Sequence, residues 1–253
     1  MKKIVLVLVI AGIGVGAYFL FFCGNDGSCE YESGALLRID VSEGDKYNMV
    51  MNITTNSDIY EDNTFMEMVM SYEVMEEREG QIDFNLSIPS IKMNGFSEEM
   101  GGDFSYDSQN VGDDEFSQVM NLAYSSLLNT TISKITVSER GEIINESNNS
   151  DGNELIESMT NSDSFIVFPE NKLEIGNSFI HVDLTTNEEF TYTLDTITSD
   201  EYMFKFNALI DGTEINGTAG YFKSSCMASS AFMEMSQNGI NVKVESKTKV
   251  ITK

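Results

Sequence analysis

The chain has 253 residues, 41 of them acidic against 15 basic, for a net charge of −26, and 41% of it is hydrophobic. That apolar share is enough for a sizeable core and argues against disorder throughout, while the length fits one or two domains. So acidic a surface repels nucleic-acid phosphates and anionic headgroups, which argues against DNA or RNA as a partner and leaves cations, basic proteins or plain solubility as its uses.

Met1-Lys2-Lys3 is followed by an uncharged, mostly apolar run from Ile4 to Phe22. About 20 residues of helix span a bilayer core, and lysines before the run with Asp26, Glu30 and Glu32 after it place the N-terminus inside and the rest across the membrane. The expectation is a membrane anchor or signal segment over 1–22, a linker over 23–34, and one extracytoplasmic domain over 35–253. A lipoprotein signal would put its lipid on Cys23, but Phe22 stands where a small residue belongs. A secretory cut after Val15-Gly16-Ala17 would leave Tyr18 to Phe22 exposed on the product.

The other cysteines are Cys29 and Cys226. An extracytoplasmic compartment permits disulfides. If Cys23 lies at the membrane or is lipidated, Cys29 and Cys226 are the remaining pair; the alternative is three free thiols. No pair has zinc-ligand spacing.

Beyond the linker the dominant signal is period-2 alternation, which sets apolar residues on one face of a strand. Leu37, Ile39 and Val41 alternate first, then Tyr47, Met49, Met51 and Ile53, then Met66, Met68, Met70, Tyr72 and Val74, then Ile82, Phe84, Leu86 and Ile88. Glu76 to Gly80 reads as the hairpin connection between the last two. Residues 97–113 read as a loop. Phe116, Val119, Met120, Ala123 and Leu127 fall on one helical stripe, predicting a helix over 114–128 capped by Asp113 or Asp114. Ile132, Ile135 and Val137 predict a strand, and Glu139 to Glu142 a turn. Leu155, Ile156 and Met159 lie in a short amphipathic stretch, and a connector follows around Pro169. Later strands are expected at Ile180–Leu184, Phe190–Leu194, Tyr202–Ile210 and Ile240–Val244, with weaker candidates at Ala219–Phe222 and Ala231–Met235. One wet and one buried face per strand is the pattern of an antiparallel sheet.

The chain also repeats itself. Gly44 to Asn56 aligns with Gly176 to Asn187, and Tyr72 to Gly95 with Tyr192 to Gly217. The fold expected is mainly β: antiparallel curved sheets or a partly open barrel in two related halves, about 35–160 and 161–253, with one covering helix. Three segments resemble a family of uncharacterised bacterial envelope proteins best represented in Bacteroidota: Glu43-Gly-Asp-Lys-Tyr47, Ser138-Glu-Arg-Gly-Glu-Ile143 and Phe168-Pro-Glu-Asn-Lys-Leu-Glu-Ile-Gly176. The resemblance implies two β-rich halves joined by that connector, in the cell envelope. The family's usual lipoprotein signal is not matched at Phe22.

Catalytic and cofactor motifs are not evident. The single histidine, His181, alternates with Ile180 and Val182, so it is expected to face solvent. A two-histidine zinc site is excluded, and no nucleophile elbow, P-loop or dinucleotide fingerprint appears. Asp113-Asp114-Glu115 and Asp151 to Glu154 lack the spacing of a calcium loop, and an acidic helix start explains such runs. No cofactor and no metal are therefore expected. The leading functional expectation is a non-enzymatic binding module for an apolar ligand such as a lipid, lined by Met66, Met68, Met70, Tyr72, Phe204 and Phe206, because methionine-rich and aromatic inner faces adapt to apolar shapes. The alternative is an envelope interaction protein acting through its acidic surface. A carboxylate-based hydrolase ranks last, since no acidic pair stands out.

Overall fold

The computed structural model describes residues 34–57, 62–98, 101–148, 166–182, 188–210 and 212–251. They form one antiparallel sheet whose strands are β1 (Lys46–Ser57), β2 (Asn63–Arg78), β3 (Gln81–Ser97), β4 (Gly102–Asp107), β5 (Thr131–Ser138), β6 (Ile143–Asn148), β7 (Ser178–Val182), β8 (Glu189–Ile197), β9 (Glu201–Ile210), β10 (Thr213–Phe222), β11 (Ala228–Gln237) and β12 (Ile240–Ile251). The spatial order is β6-β5-β3-β2-β1-β12-β11-β10-β9-β8-β7, with β4 added beside β3. Both sequential runs are antiparallel meanders, the first interrupted between β3 and β5 by β4 and a helix. The first and last strands, β1 and β12, pair at the centre and join the two runs. The sheet is open, because β6 and β7 end the order without pairing to each other.

The alternation does what period 2 requires. Tyr47, Met49, Met51 and Ile53 are buried on β1, and Met66, Met68, Met70, Tyr72 and Val74 on β2. Their neighbours in sequence face outward in partial or full exposure, apart from buried Ser71. Pro89 falls at a register shift between β2 and β3, where Ile88 and Pro89 lie between the pairs Ser71–Ser87 and Val69–Ser90. Proline is tolerated at such a bulge because no ladder N–H is needed there. The extra residue also lets Ile88 and Ile91 both be buried.

The halves share a local device. Gly44 (φ 83°) donates its N–H to Val74 O at 2.8 Å, and Val74 returns one to Asp45 O at 2.9 Å. Gly176 (φ 88°) does the same to Leu194 O at 2.7 Å, and Leu194 to Asn177 O at 3.0 Å. A positive φ is open to glycine at little cost, and it turns the chain into the strand. Register shifts follow at the same place in both halves, between Val74 and Glu76 and between Leu194 and Thr196. Tyr72 and Tyr192 are thus equivalent, as are Phe84 and Phe204. The sequence alignment fails further on: Gly95 lies on β3 opposite Thr64, whereas Gly217 lies on β10 opposite Phe206. The first half inserts β4 and the helix between β3 and β5; the second crosses directly from β9 to β10.

The region read as a loop over 97–113 contains β4. The helix, α1 (Glu115–Tyr124), is shorter than expected and is capped by Asp114, whose side chain accepts from Ser117 N at 2.9 Å. Its packed face is also narrower. Phe116 and Met120 meet the core, joined by Tyr124, but Val119 and Ala123 face outward. Phe116 stacks against Phe104 of β4 at 4.9 Å and Tyr124 lies 6.1 Å from Tyr106, so the helix rests on β4 near one flank of the sheet. The stripe counted from sequence mixed this face with its neighbour, because positions 119 and 123 lie about 100° and 60° round the helix from Met120, the middle of the packed face.

Two extended segments help bury the inner face. The strap over 35–41 carries buried Ala35, Leu37, Ile39 and Val41, and the connector over 166–173 carries buried Ile166, Phe168 and Leu173. They bond to each other through Ala35 N to Leu173 O at 2.7 Å and Leu173 N to Ala35 O at 2.8 Å. All of these residues belong to one continuous core.

Candidate functional site

The inner face of the sheet is where the expected ligand-lining residues lie. Met66, Met68, Met70, Tyr72, Phe204 and Phe206 are each at most 4% exposed. They do not form one patch: the first four run along β2, and the two phenylalanines lie on β9, on the far side of the β1–β12 seam. Phe204 and Phe206 belong to an aromatic cluster that sequence reading missed as a unit. Phe179 stacks on Tyr192 at 5.4 Å, Tyr192 meets Phe206 at 5.5 Å, Phe204 meets Tyr221 at 5.6 Å, and Phe168 from the connector meets Tyr221 at 5.5 Å. Only the Gly176 repeat could have signalled it, by setting Phe179 in the place of Tyr47.

Several hydroxyls are enclosed with this apolar face. Those of Tyr192, Tyr221 and Thr248 are buried without a hydrogen-bond partner. An unpaired buried polar group costs about 1–3 kcal/mol. Burial pushes the Tyr192 and Tyr221 phenols far above their ordinary value, and the neighbouring Tyr221 adds to the effect at Tyr192. Tyr47, which shares a hydrogen bond with Ser225, is pushed up to about 12, also chiefly by burial. The Tyr72 hydroxyl donates to Met70 Sδ at 3.8 Å.

His181 corrects the sequence expectation. It is 7% exposed and faces the core, while Ile180 is 58% exposed and Val182 also faces out. On β7 both alternate sets, Phe179/His181 and Ile180/Val182, carry apolar side chains, so alternation alone gives no choice of face. Pairing decides it: Phe179 stands opposite Tyr192 and His181 opposite Phe190, both buried. The Val167 N–H approaches His181 Nδ1 at 3.5 Å.

The segments Ser138–Ile143 and Phe168–Gly176 meet in space. Arg140 donates from Nε to Phe168 O at 3.0 Å and from Nη1 to Glu170 Oε1 at 2.9 Å, and Phe168 N donates to Arg140 O at 3.0 Å. Arg38 on the strap donates to Pro169 O at 3.2 Å and Glu170 O at 2.9 Å. Two arginines thereby hold the connector by its carbonyls. This role is structural.

Cys226 is fully buried and disulfide-bonded, which removes the alternative of three free thiols. Cys23 and Cys29 lie outside the described residues, as do the apolar run over 4–22, the amphipathic stretch around Leu155 and the Asp151–Glu154 segment. Among the described residues no helix is long and apolar enough to cross a membrane, and no cluster of three or more His, Cys, Asp or Glu could hold a metal ion. No described Asp or Glu is buried as a whole residue, although Glu146 Oε1 is closed off from solvent. Asp113, Asp114 and Glu115 form the start of α1, and hydrogen bonds from Ser117 hold the Asp114 carboxyl below its usual range.

Two open clefts lie away from the inner-face cluster. One of about 900 Å³ lies between the Gly212 turn and the β11–β12 hairpin and is lined mostly by polar groups, among them Asn56, Glu214, Gln237 and Asn241. The other, of about 540 Å³, is lined by Glu188, Glu189, Glu214 and Leu209 among others. Neither includes any of the six expected lining residues.

No protein-family model and no curated protein matches the chain. Among solved structures, a lipovitellin chain, from work on lipid–protein interactions in lipovitellin, aligns with 84% of this chain at 10% identity and a TM-score of 0.47. This chain covers 26% of that one. A likeness at that level leaves the function to the geometry of the chain itself.

Proposed function

We propose that the protein is a non-enzymatic binding module of the cell envelope, held to a membrane through residues 4–22, whose inner face takes up an apolar ligand such as a lipid. The observation that carries this reading is an open sheet with a methionine-rich inner face. Because β6 and β7 share no ladder, the sheet can part at its edges by separating side chains without breaking backbone pairing. Methionine side chains, unbranched and polarizable, re-pack around varied apolar shapes. The enclosed hydroxyls without partners are a second support, since a fully closed core has no need of them.

The test is native mass spectrometry of the full chain purified from its own membranes, with organic extraction of the same sample. A lipid present at near-stoichiometric level is the expected result. A clean apo mass, with no uptake of added lipids, overturns the reading.

The acidic outer surface favours a second reading, contact with a basic partner. Several described cations are already tied in ion pairs, such as Arg78 with Asp83 at 2.7 Å and Lys205 with Asp195 at 2.6 Å. The surplus acids are left to solvent or to a partner. Capture of a basic protein that is lost with rising salt would support it.

A further inference from the structure

We infer that the inner face recognises the uncharged oxygen-bearing end of an acyl lipid, an ester or alcohol headgroup, through the buried hydroxyls of Tyr192, Tyr221 and Thr248. This rests on the reading of the inner face as the ligand face and adds the chemical class of ligand.

The three groups lie on β8, β10 and β12. Tyr192 and Tyr221 are joined through shared rings: Phe179 packs on Tyr192 at 5.4 Å and on Phe204 at 6.1 Å, and Phe204 packs on Tyr221 at 5.6 Å. Tyr221 stands opposite Ala228 on β11. On the far side of β11, Thr248 follows Lys247, the partner of Ser230. Thr248 stands opposite Met49, which in turn faces Met70 on β2. The hydroxyls thus share the inner face, with that of Thr248 beside the methionines.

None of the three hydroxyls has a hydrogen-bond partner. Phenylalanine would fill the volume of either tyrosine without that penalty, as it does at the surrounding aromatic positions. The hydroxyl oxygens are closed off from solvent-sized probes, so a water molecule has no room beside them in the closed face. Their partner then arrives with whatever parts that face. A hydroxyl donor calls for an oxygen acceptor. No Lys or Arg is buried among the described residues, and the buried histidine, His181, uses Nδ1 as an acceptor. A carboxylate or phosphate would thus enter without a counter-charge, which is far more costly than an ester carbonyl or an alcohol. The acyl chain then lies along Met49 and Met70.

The test uses the full chain in amphipol, titrated by calorimetry at pH 8 with 1-monolauroylglycerol and, separately, with laurate. Wild type is expected to bind the glycerol ester at least ~10-fold more tightly than laurate, and Y192F/Y221F to lose about 10-fold of its affinity for the ester, the loss of hydrogen bonds to two donors. The double variant should melt at or above the wild-type temperature, because it gives up hydroxyls that bond to nothing in the apo protein. Unchanged ester affinity in Y192F/Y221F, equal binding of laurate, or a melting temperature lowered by several degrees overturns the inference while leaving a ligand-binding inner face intact. If wild type binds neither compound and carries no lipid, the broader reading falls with it.

Discussion

Removing Arg140 tests whether the connector between the halves is held by its carbonyls. Arg140→Ala deletes the Nε bond to Phe168 O at 3.0 Å and the Nη1 contact with Glu170 at 2.9 Å, but keeps the backbone bond from Phe168 N to Arg140 O. The Glu170 side chain is 77% exposed, and an ion pair so open to solvent contributes at most about 1 kcal/mol. The partly buried, charge-assisted bond to the Phe168 carbonyl contributes about 1.5–3 kcal/mol. Relief at Arg38 offsets part of this, because its guanidinium is held below the ordinary range by burial first and by the like charge of Arg140 second. The net expectation for Arg140→Ala is a loss of about 2 kcal/mol, read from urea unfolding followed by far-ultraviolet circular dichroism. Arg140→Lys keeps the charge without the planar fork and should recover less than half of the loss. Glu170→Gln should cost less than ~0.5 kcal/mol. An Arg140→Ala variant within ~0.5 kcal/mol of wild type, or a Glu170→Gln variant that reproduces the whole loss, refutes the carbonyl clamp.

Phe84→Ala and Phe204→Ala occupy equivalent places beside the two bulges, so each should cost about 3–5 kcal/mol in the same assay, and a gap of more than ~2 kcal/mol would deny the equivalence. The buried phenols have folded pKa values raised above the unfolded 10.0, Tyr47 to about 12, with Tyr72, Tyr192 and Tyr221 also raised, all chiefly by burial. Their contribution is therefore full below pH 10 and is lost as pH rises beyond it, so base-induced unfolding should coincide with phenolate absorbance; phenolate appearing well before unfolding would contradict the burial. Asp114→Ala should destabilise the protein at neutral pH, and its difference from wild type should vanish as pH falls below the unfolded value of 3.8 and through the depressed folded one, as followed by thermal melts across pH. A non-reducing peptide map should join Cys226 to Cys29, with reduction costing ~2–4 kcal/mol, and a Cys23–Cys226 peptide would exclude that pairing.

The strands were legible because a half-buried antiparallel sheet writes its inner face into every second residue. Tyr47 to Ile53, Met66 to Val74 and Phe190 to Leu194 each contain that pattern and no competing one. Acidity, the apolar run over 4–22 and the Gly44/Gly176 repeat were equally local facts. Tertiary structure decided what local pattern leaves degenerate. On β7 both faces are apolar, and only pairing with β8 turned His181 inward. On α1 two adjoining stripes compete, and only contact with β4 selected Phe116, Met120 and Tyr124. Residues 102–107 carry weak alternation, and β4 exists because the edge of β3 offers Lys92 to Ser97 as a template. The candidate site was the least legible of all. Tyr192, Tyr221 and Thr248 look like ordinary strand residues until β8 to β12 are laid side by side, since whether a hydroxyl is buried without a partner depends on strands far apart in sequence.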